Sequence, residues 1–359
     1  MLTFRYFPSS ASIARRYNRR ISIIYIHILT SFYSHLSKKT YLCNVKHIFI
    51  INPNAGKNDA TIQLEKQLSD FPRTLDYEIY HVEGNAGTMR RYVAQRCQQS
   101  PQEQLRFYAC GGDGTLKEVM NGMVGQPNAQ LACYPCGSGN DYVKYFAPVA
   151  SFLDLQALVE GTPTPVDITR VEALIDGKMQ THHSINVVNF GLEAQVCRHM
   201  EQIRRKPLIG GKNAYTTAIV MAVLHGLRNH CSLKADGEPF HSGAYTLCTV
   251  AHGPYVGGQY LCAPRSANND GLAELCLVKP LSLLRLPFLI GAYAKGIHLD
   301  DKRFKKLIRY RRATDIELWG DPMWLCLDGD LIRSSRFHLT VVPQAISFVV
   351  PANAKKSVQ

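Results

Sequence analysis

Three loops of one strand–helix series constrain the fold of this chain more than any other feature. Each loop directly follows a short apolar run and directly precedes a helix-like stretch, and the loops occupy residues 52–57, 111–115 and 137–141. Short, continuous apolar runs are typical of parallel strands that are buried on both faces. Such strands, alternating with helices, predict a doubly wound α/β domain over this part of the chain.

The residues of these loops suit the binding of phosphate groups. The second loop reads Gly-Gly-Asp-Gly-Thr and the third reads Gly-Ser-Gly-Asn-Asp, while Lys57 adds a positive charge to the first. Glycines let the backbone approach an anion, and the helix behind each loop offers free N–H groups. One such loop alone is equally an ordinary tight turn, but three in one series predict nucleotide binding at the carboxyl ends of the strands. None of them fits the P-loop pattern or the glycine pattern of dinucleotide-binding enzymes.

The pattern changes after about residue 165, where strand-like runs punctuated by Gly, Asn and Pro dominate. One long helical stretch, at 214–231, interrupts these runs. Mostly antiparallel strands predict a second, β-rich domain of the sandwich type. We therefore expect an α/β domain formed by residues 45–165 and 340–359, a β-rich domain formed by residues 166–339, and an active site in the cleft between them.

Residues 1–44 differ from the rest of the chain. They contain seven basic residues and no acidic residue, and so carry more than half of the net charge of +13. Three interpretations remain open: a targeting peptide, a membrane-surface anchor with its apolar part at 21–29, or an over-long gene model in which translation begins near Val45. We favour the third, because a clean strand pattern begins only there. Since the charge is concentrated in this segment and no recognition motif accompanies it, no nucleic-acid partner is expected.

Cysteine usage and hydropathy indicate the compartment. The eleven cysteines show no paired C-x-x-C spacing, which predicts reduced thiols in a cytosol-like compartment rather than disulfides or a zinc site. No apolar run approaches the roughly 20 residues that a bilayer span requires. We expect a cytoplasmic protein without a transmembrane span.

In sequence order, the three loops and several later motifs resemble the diacylglycerol kinase catalytic-domain family. The likeness is greatest to its soluble bacterial lipid kinases, whose relatives include the sphingosine kinases, and it extends over about residues 45–352. The resemblance implies an ATP-dependent lipid kinase that phosphorylates the hydroxyl group of a diacylglycerol-like lipid. The later motifs are Asn-Phe-Gly-Leu-Glu-Ala at 189–194, His-Gly-Pro-Tyr-Val-Gly-Gly at 252–258, Asn-Asp-Gly-Leu at 269–272 and Leu-Asp-Gly-Asp at 327–330.

The resemblance also implies which residues bind ATP in the cleft. Asp113 is expected to contact magnesium or the phosphates, with a helix N-cap as the alternative. A threonine that the family places after the second strand is replaced here by Val82. The implied nucleotide-binding residues are Asn52, Pro53, Asn54, Ala55, Gly56, Gly111, Gly112, Asp113, Gly114, Thr115, Glu118 and Ser138.

A magnesium site in the second domain is a further implication of the resemblance. It would use the side chain of Asp270 together with main-chain oxygens of Leu272 and Ala267. An ordinary Asn-Asp-Gly hairpin turn explains the same residues without a metal.

The chemistry of phosphorylating an alcohol calls for a carboxylate that accepts the hydroxyl proton as the oxygen attacks. Asp328 and Asp330, separated by Gly329, supply two such acids. By resemblance, Asp330 matches the position of the family's proton acceptor, a glutamate that is one methylene longer. Asp328 remains the alternative base, and an Asx-type hairpin turn is the alternative to catalysis. His252 stands where the family has asparagine, and no role is assigned to it.

A basic cluster predicts contact with a membrane surface. Seven basic residues lie within 302–312, and Phe304, Leu307 and Ile308 form an apolar stripe at helical spacing among them. The pattern predicts a basic amphipathic helix, which either lies on anionic lipid or packs with a solvated basic face. The basic run at 204–206 could add to the same patch.

Two other functions remain open. An NAD kinase is one, because that family has the same Gly-Gly-Asp-Gly-Thr motif in a similar two-domain layout; the motifs at 137–141 and 327–330 favour the lipid kinase. The second is a lipid- or nucleotide-binding regulator that lost turnover, which Val82, His252 and the shorter acid at Asp330 keep open. The sequence is also compatible with a homodimer.

Overall fold

The structure is a computed structural model of the chain. The interpretations of residues 1–44 and the predicted roles of Asn54, Ala55, Gly56 and Lys57 lie outside the residues that it describes. It describes residues 45–53, 60–72, 75–83, 87–204, 214–225 and 227–354.

The N-terminal half is the α/β unit that the loop series predicts. Four parallel strands lie in the order β4-β3-β1-β2, and β4 is buried along its whole length, as expected of a strand covered on both faces. A 3₁₀ helix (Tyr142–Tyr145) and two short helices connect this unit to the next strand. The elements are β1 (Val45–Ile51), α1 (Ala60–Ser69), β2 (Tyr77–His81), α2 (Thr88–Gln99), β3 (Gln104–Gly111), α3 (Asp113–Met123), β4 (Ala129–Pro135), α4 (Val149–Phe152) and α5 (Leu155–Val159).

The C-terminal half consists mainly of antiparallel strands, as predicted. Three helices, α6 (Leu192–Arg204), α7 (Ala214–His225) and α8 (Leu286–Ala294), contribute to one apolar cluster. The strands are β5 (Thr162–Ile175), β6 (Lys178–Ser184), β7 (Val187–Gly191), β8 (Asn229–Ala235), β9 (Glu238–Tyr245), β10 (Leu247–Ala251), β11 (Tyr255–Val256), β12 (Tyr260–Leu261), β13 (Ala273–Val278), β14 (Ile308–Ala313), β15 (Asp315–Leu327) and β16 (Asp330–Val350).

One long strand, β16, joins the two halves. It pairs antiparallel with β15 and β5 along most of its length, and near its end Phe348 pairs parallel with Leu131 of β4. Fourteen of the described strands, from both halves, therefore belong to one continuous sheet, whose central order is β14-β13-β10-β7-β15-β16-β4-β3-β1-β2, while β11 and β12 form a separate two-stranded sheet. The exact domain limits stay a prediction.

The prediction of a helix over the basic cluster at 302–312 is wrong. Residues 302–307 form turns, and Ile308–Ala313 forms the edge strand β14, which pairs residue by residue with β13. Phe304 is buried in the apolar cluster to which α8 contributes, while Arg309 is exposed on the edge strand. Pairing with a distant strand has overridden a local helical spacing, and basic side chains on an edge strand discourage further pairing.

Two smaller differences concern the neighbouring helices. The helix predicted over 214–231 ends at His225, because Asn229–Ala235 forms β8 and pairs with β9. Helix α6 lies where no helix is predicted. Among the described residues, no helix combines the length and the hydropathy that crossing a bilayer requires.

Candidate active site

The glycine loops after β3 and β4 lie against each other. A Cβ atom added to Gly112 would lie 3.1 Å from the Cα of Gly137, and one added to Gly137 would overlap the backbone of Gly112. A Cβ on Gly111 would likewise overlap the side chain of Thr115. Only glycine allows this close approach of two backbones, so the two loops form one continuous surface at the carboxyl ends of the strands.

Asp113, the first residue of α3, ties the two loops together. Its Oδ1 atom accepts hydrogen bonds from the backbone N–H groups of Asp141 at 2.7 Å and Tyr142 at 3.4 Å. Burial, followed by the charge of Asp141, raises the pKa of Asp113 to about 6. The N-cap of α3 is Gly112 rather than Asp113, so the N-cap alternative does not describe this residue.

The loop after β4 is fastened to the C-terminal half. Asn140 adopts a positive φ of 51° and its side chain bonds the backbone of Gly137 in both directions. Both carboxylate oxygens of Asp141 accept from the N–H of Gly258 at 3.0 Å, and Lys144 donates to Asp141 at 2.8 Å and to the carbonyl of Gly258 at 2.7 Å. Since Gly258 lies between β11 and β12, this contact links the loop after β4 to the C-terminal half.

The remaining predicted nucleotide residues line or support the same loops. Asn52, at the end of β1, donates from Nδ2 to the Oγ1 atom of Thr115 at 3.1 Å. Glu118 accepts from the N–H of Gly87 at 3.0 Å, just before α2. Ser138 is exposed at the rim. Pro53 and Gly114 are exposed as well, and Val82 donates its N–H to Ile51 as a continuation of the sheet.

Asp328 is half-buried and serves as an anchor for its turn. Its carboxylate accepts four hydrogen bonds, from the Ser184 hydroxyl at 2.9 Å and from the backbone N–H groups of Ile185, Asn186 and Val187 at 2.8, 3.1 and 2.8 Å. Burial raises the pKa of Asp328, while these donors favour the charged form. All the donors come from the link between β6 and β7, so Asp328 holds the β15–β16 turn against that link.

Asp330 has the opposite environment. Its side chain is 64% exposed, and its carboxylate forms an ion pair with the ammonium group of Lys117, whose own side chain is only 8% exposed. Lys117 lies on α3, one helical turn beyond Asp113. The charge of Asp328 also contributes to the raised pKa of Asp113. Lys117 therefore links the helix behind the second glycine loop to the β15–β16 turn, and the space between these two edges is called the crevice below.

The residues predicted to bind magnesium do not fit that metal as they stand. The Oδ1 atom of Asp270 accepts from the N–H of Leu272 at 3.1 Å, and Oδ2 is paired with the guanidinium group of Arg312. Arg312 also contacts the buried Glu274 at 3.1 Å, so an arginine already supplies the positive charge at this turn. Ala267, three residues before Asp270 in the sequence, is half-buried. Among the described residues, no group of three or more His, Cys, Asp and Glu side chains is arranged to hold a metal ion.

Several residues of the crevice were not singled out from the sequence. Lys117 lies two positions after the second loop, and its ion-pair partner Asp330 lies 213 positions further along the chain. Asp141 is the last residue of the third loop, Lys144 follows three positions later, and their links to Gly258 span 117 and 114 positions. The only sequence signal for these roles is the position of charged residues immediately beyond a phosphate-binding loop.

Together these features define the class of the protein: an α/β unit with glycine loops at the edge of its parallel strands, joined to a second unit of mainly antiparallel strands. Residues 46–171 match the family model of the diacylglycerol kinase catalytic domain, and residues 186–350 match that of the YegS C-terminal NAD kinase beta sandwich-like domain. Residues 46–171 therefore resemble a diacylglycerol kinase catalytic domain and residues 186–350 a YegS C-terminal domain, which confirms the resemblance found in the motifs.

Individual relatives agree with this assignment. The chain is 26% identical over 319 residues to a protein of Serratia proteamaculans named "Probable lipid kinase YegS-like", covering 86% of this chain and 95% of that one. A protein of the same name from Pectobacterium atrosepticum is 27% identical over 314 residues, covering 85% and 95%. The fold is similar to the crystal structure of a diacylglycerol kinase from Bacillus anthracis, with a TM-score of 0.62, 18% identity, and coverage of 86% of this chain and 98% of that one.

Proposed function

We propose that the protein is an ATP-dependent lipid kinase that transfers the γ-phosphoryl group to the hydroxyl of a diacylglycerol-like lipid. The observation that carries the proposal is the position of Asp330: an exposed carboxylate that faces the helix behind the glycine loops, linked to it through Lys117. A proton acceptor and a phosphate site on opposite edges of one crevice are what phosphorylation of an alcohol needs.

The nucleotide edge would hold the triphosphate mainly through the backbone. Gly112 and Gly137 leave no side chain between an anion and the N–H groups, and the N-terminus of α3 supplies a positive dipole end. Mg²⁺ would accompany ATP and neutralise charge on its phosphates. Asp113 lies within these loops, and its raised pKa reflects the same desolvated, acidic surroundings.

The acceptor edge would activate the lipid hydroxyl. As the hydroxyl oxygen attacks the γ-phosphorus, its proton passes to the carboxylate of Asp330, the bond between the γ-phosphorus and the bridging oxygen breaks, and ADP leaves. We assign this role to Asp330 rather than Asp328, because all four contacts of Asp328 tie it to the β6–β7 link. General-base catalysis of this kind contributes a factor of roughly 10²–10⁴ in rate.

We further propose that the protein contacts the membrane through the turn before α8. Leu283, Leu284 and Phe288 are exposed, and the guanidinium group of Arg303 lies 5.7 Å from the ring centre of Phe288. Lys302, Lys305 and Lys306 are exposed in the adjacent turns. Exposed apolar side chains among basic ones fit an anionic lipid surface, where each nearby basic residue contributes about 1 kcal/mol.

The cytoplasmic face of the membrane is the location we propose. All ten cysteines that the structure describes are free thiols, which suits a reducing compartment that also supplies ATP.

Labelled ATP and Mg²⁺ offered with a panel of lipid alcohols in vesicles test the proposed activity. We expect a phosphorylated lipid from the wild type and a loss of at least 10²-fold in kcat for Asp330→Asn. Asp321→Asn, an exposed aspartate of β15, is the matched control and should keep full activity. Formation of NADP from NAD without lipid phosphorylation would instead identify an NAD kinase, and equal inactivity of wild type and Asp330→Asn with intact ATP binding would indicate a regulator.

Vesicle flotation tests the membrane surface separately. Leu284→Ser together with Phe288→Ser should reduce binding to vesicles that contain phosphatidylglycerol, and added salt should reduce the binding of the wild type. Leu174→Ser, an exposed leucine of β5, is the control. Equal flotation of all three proteins would remove this surface from the proposal while leaving the kinase activity untouched.

A further inference from the structure

We propose that Lys117 is a phosphoryl-contacting residue: its ammonium group binds the γ-phosphate of ATP and, when no nucleotide is present, pairs with Asp330. The inference rests on the proposed function, because it names a further part of the same site. Its basis is the juxtaposition of a buried lysine, the phosphate-side end of α3 and an exposed carboxylate of the opposite edge.

The direction of the side chain places the ammonium near the phosphates. Side chains of an α-helix tilt toward its N-terminus, so Lys117 reaches back toward the end of α3 that carries the glycine loop. Its backbone lies one turn beyond Asp113, and its stem is buried in the protein. The ammonium group emerges in the crevice, where it meets Asp330.

The two side chains of the ion pair differ in exposure, so Lys117 depends on an oppositely charged partner more than Asp330 does. The side chain of Lys117 is 8% exposed, whereas that of Asp330 is 64% exposed. A desolvated ammonium group needs an anionic partner, but an exposed carboxylate is stable in water without one. Lys117 therefore requires an anion in the crevice; Asp330 pairs with it directly, and the charge of Asp328 also acts on it. A triphosphate carries more negative charge and more acceptor oxygens, so it is the stronger competitor.

Lys117 differs from the neighbouring basic side chains, His182 and Arg90, in that it is buried. Burial lowers the pKa of His182 on β6, and the charges of Lys117 and Arg90 lower it further, which favours its neutral form. Arg90 is exposed on α2. Exchange of Asp330 for the γ-phosphate would free the carboxylate to accept a proton only when the nucleotide is bound, which couples the base to the presence of its co-substrate.

Nucleotide titration calorimetry distinguishes this role from a structural one. The probes are MgADP and the magnesium complex of the β,γ-imido analogue of ATP, and the proteins are wild type, Lys117→Met, Lys117→Arg and the control Lys66→Met on α1. We expect wild type to bind the triphosphate analogue more tightly than ADP. Lys117→Met should weaken analogue binding at least tenfold with ADP affinity unchanged, and Lys117→Arg should retain the preference. Methionine preserves the buried stem and leaves no unpaired charge, so the variant should fold.

Asp330→Asn supplies the second test. If the carboxylate competes with the γ-phosphate for Lys117, its neutralisation should tighten the binding of the analogue and leave that of ADP unchanged. In turnover, Lys117→Met should lower kcat with the KM for lipid unchanged. Unchanged triphosphate preference in Lys117→Met, or equal weakening for both nucleotides, would overturn the inference and leave the proposed kinase standing. Absence of nucleotide binding by the wild type would instead remove the proposed function, and this inference with it.

Discussion

The two edges of the crevice hold their carboxylates in different ways. On the nucleotide edge, Asp113 is bound by backbone N–H groups of the next loop, and Asp141 by the backbone of Gly258. On the acceptor edge, Asp330 projects into solvent and is held by one side chain, that of Lys117. Backbone donors are fixed by the sheet behind them, whereas a single ion pair can exchange its partner.

This difference suits the two tasks of a kinase. Phosphates must be held by groups that need no rearrangement, because preorganised donors stabilise a developing charge most effectively. The acceptor lipid arrives from a membrane, so a carboxylate that can adjust is an advantage on that edge. The β15–β16 turn that carries Asp330 is nevertheless rigid, because Asp328 holds it through four hydrogen bonds. One turn thus combines a fixed anchor and a movable group, two residues apart.

The largest effect is expected from removing that anchor. Asp328→Ala leaves four donors of the β6–β7 link without their acceptor, and we expect it to lower the free energy of unfolding by about 3–5 kcal/mol. The double variant Asp330→Ala, Lys117→Met should change it by less than about 1 kcal/mol, because it removes the exposed carboxylate together with the buried ammonium group that pairs with it. Urea unfolding at pH 7 measures both. Similar losses in the two variants would contradict the division of the turn into an anchor and a movable group.

On the nucleotide edge, the backbone contact between the loops is the feature to break. Gly137→Ala would place a Cβ against the backbone of Gly112, which cannot move without separating the two loops. We expect ATP affinity to fall about 100-fold, equivalent to about 2.7 kcal/mol. Gly291→Ala, in a helix with open space around it, is the matched control. Wild-type ATP affinity in Gly137→Ala would show that the loops need not touch.

Sequence reasoning predicted the nucleotide edge better than the acceptor edge, and the reason is physical. Buried parallel strands, glycine turns and helix starts are signals within a few residues of each other, so β1, β3, β4 and the loop positions follow from local pattern. The raised pKa of Asp113 does not follow from local pattern, because it depends on burial in the folded protein and on the charge of Asp141 in another loop.

The acceptor edge depends on contacts between distant parts of the chain. The sequence presents Asp328 and Asp330 as two similar acids, and only the β6–β7 link and Lys117 distinguish them. The basic cluster gave a wrong helix for the same reason: a helical spacing of apolar residues competes with pairing to β13, which the local sequence does not encode. Likewise, nothing near Asp270 indicates that Arg312 will pair with it.

An effect of intermediate size is expected in the pH dependence of the free energy of unfolding, through Asp113 of the nucleotide edge. The pKa of Asp113 is raised from 3.8 to about 6, so the folded protein is penalised above pH 6 and the penalty disappears as the pH falls toward 4. Asp113→Asn should therefore be more stable than wild type at pH 8, by up to about 2–3 kcal/mol, and equally stable near pH 4. Urea unfolding at pH 8, 6 and 4 tests this, with Asp321→Asn as the control. A constant difference across the three pH values would assign the effect to altered hydrogen bonding rather than to charge.

The smallest effect should come from the link between the loop after β4 and Gly258 of the C-terminal half. Lys144 is partly exposed and bonds both Asp141 and the carbonyl of Gly258. Lys144→Met should lower the free energy of unfolding by about 1 kcal/mol, because one partly solvated ion pair and one hydrogen bond are lost. Asp141 keeps its own bonds to the Gly258 N–H, so the nucleotide edge should remain assembled and ATP affinity should fall by less than about threefold. Lys178→Met on β6, an exposed lysine, is the matched control. A loss of ATP affinity as large as that of Gly137→Ala would mean that the nucleotide edge owes its rigidity to the opposite half of the protein and not to its own loops.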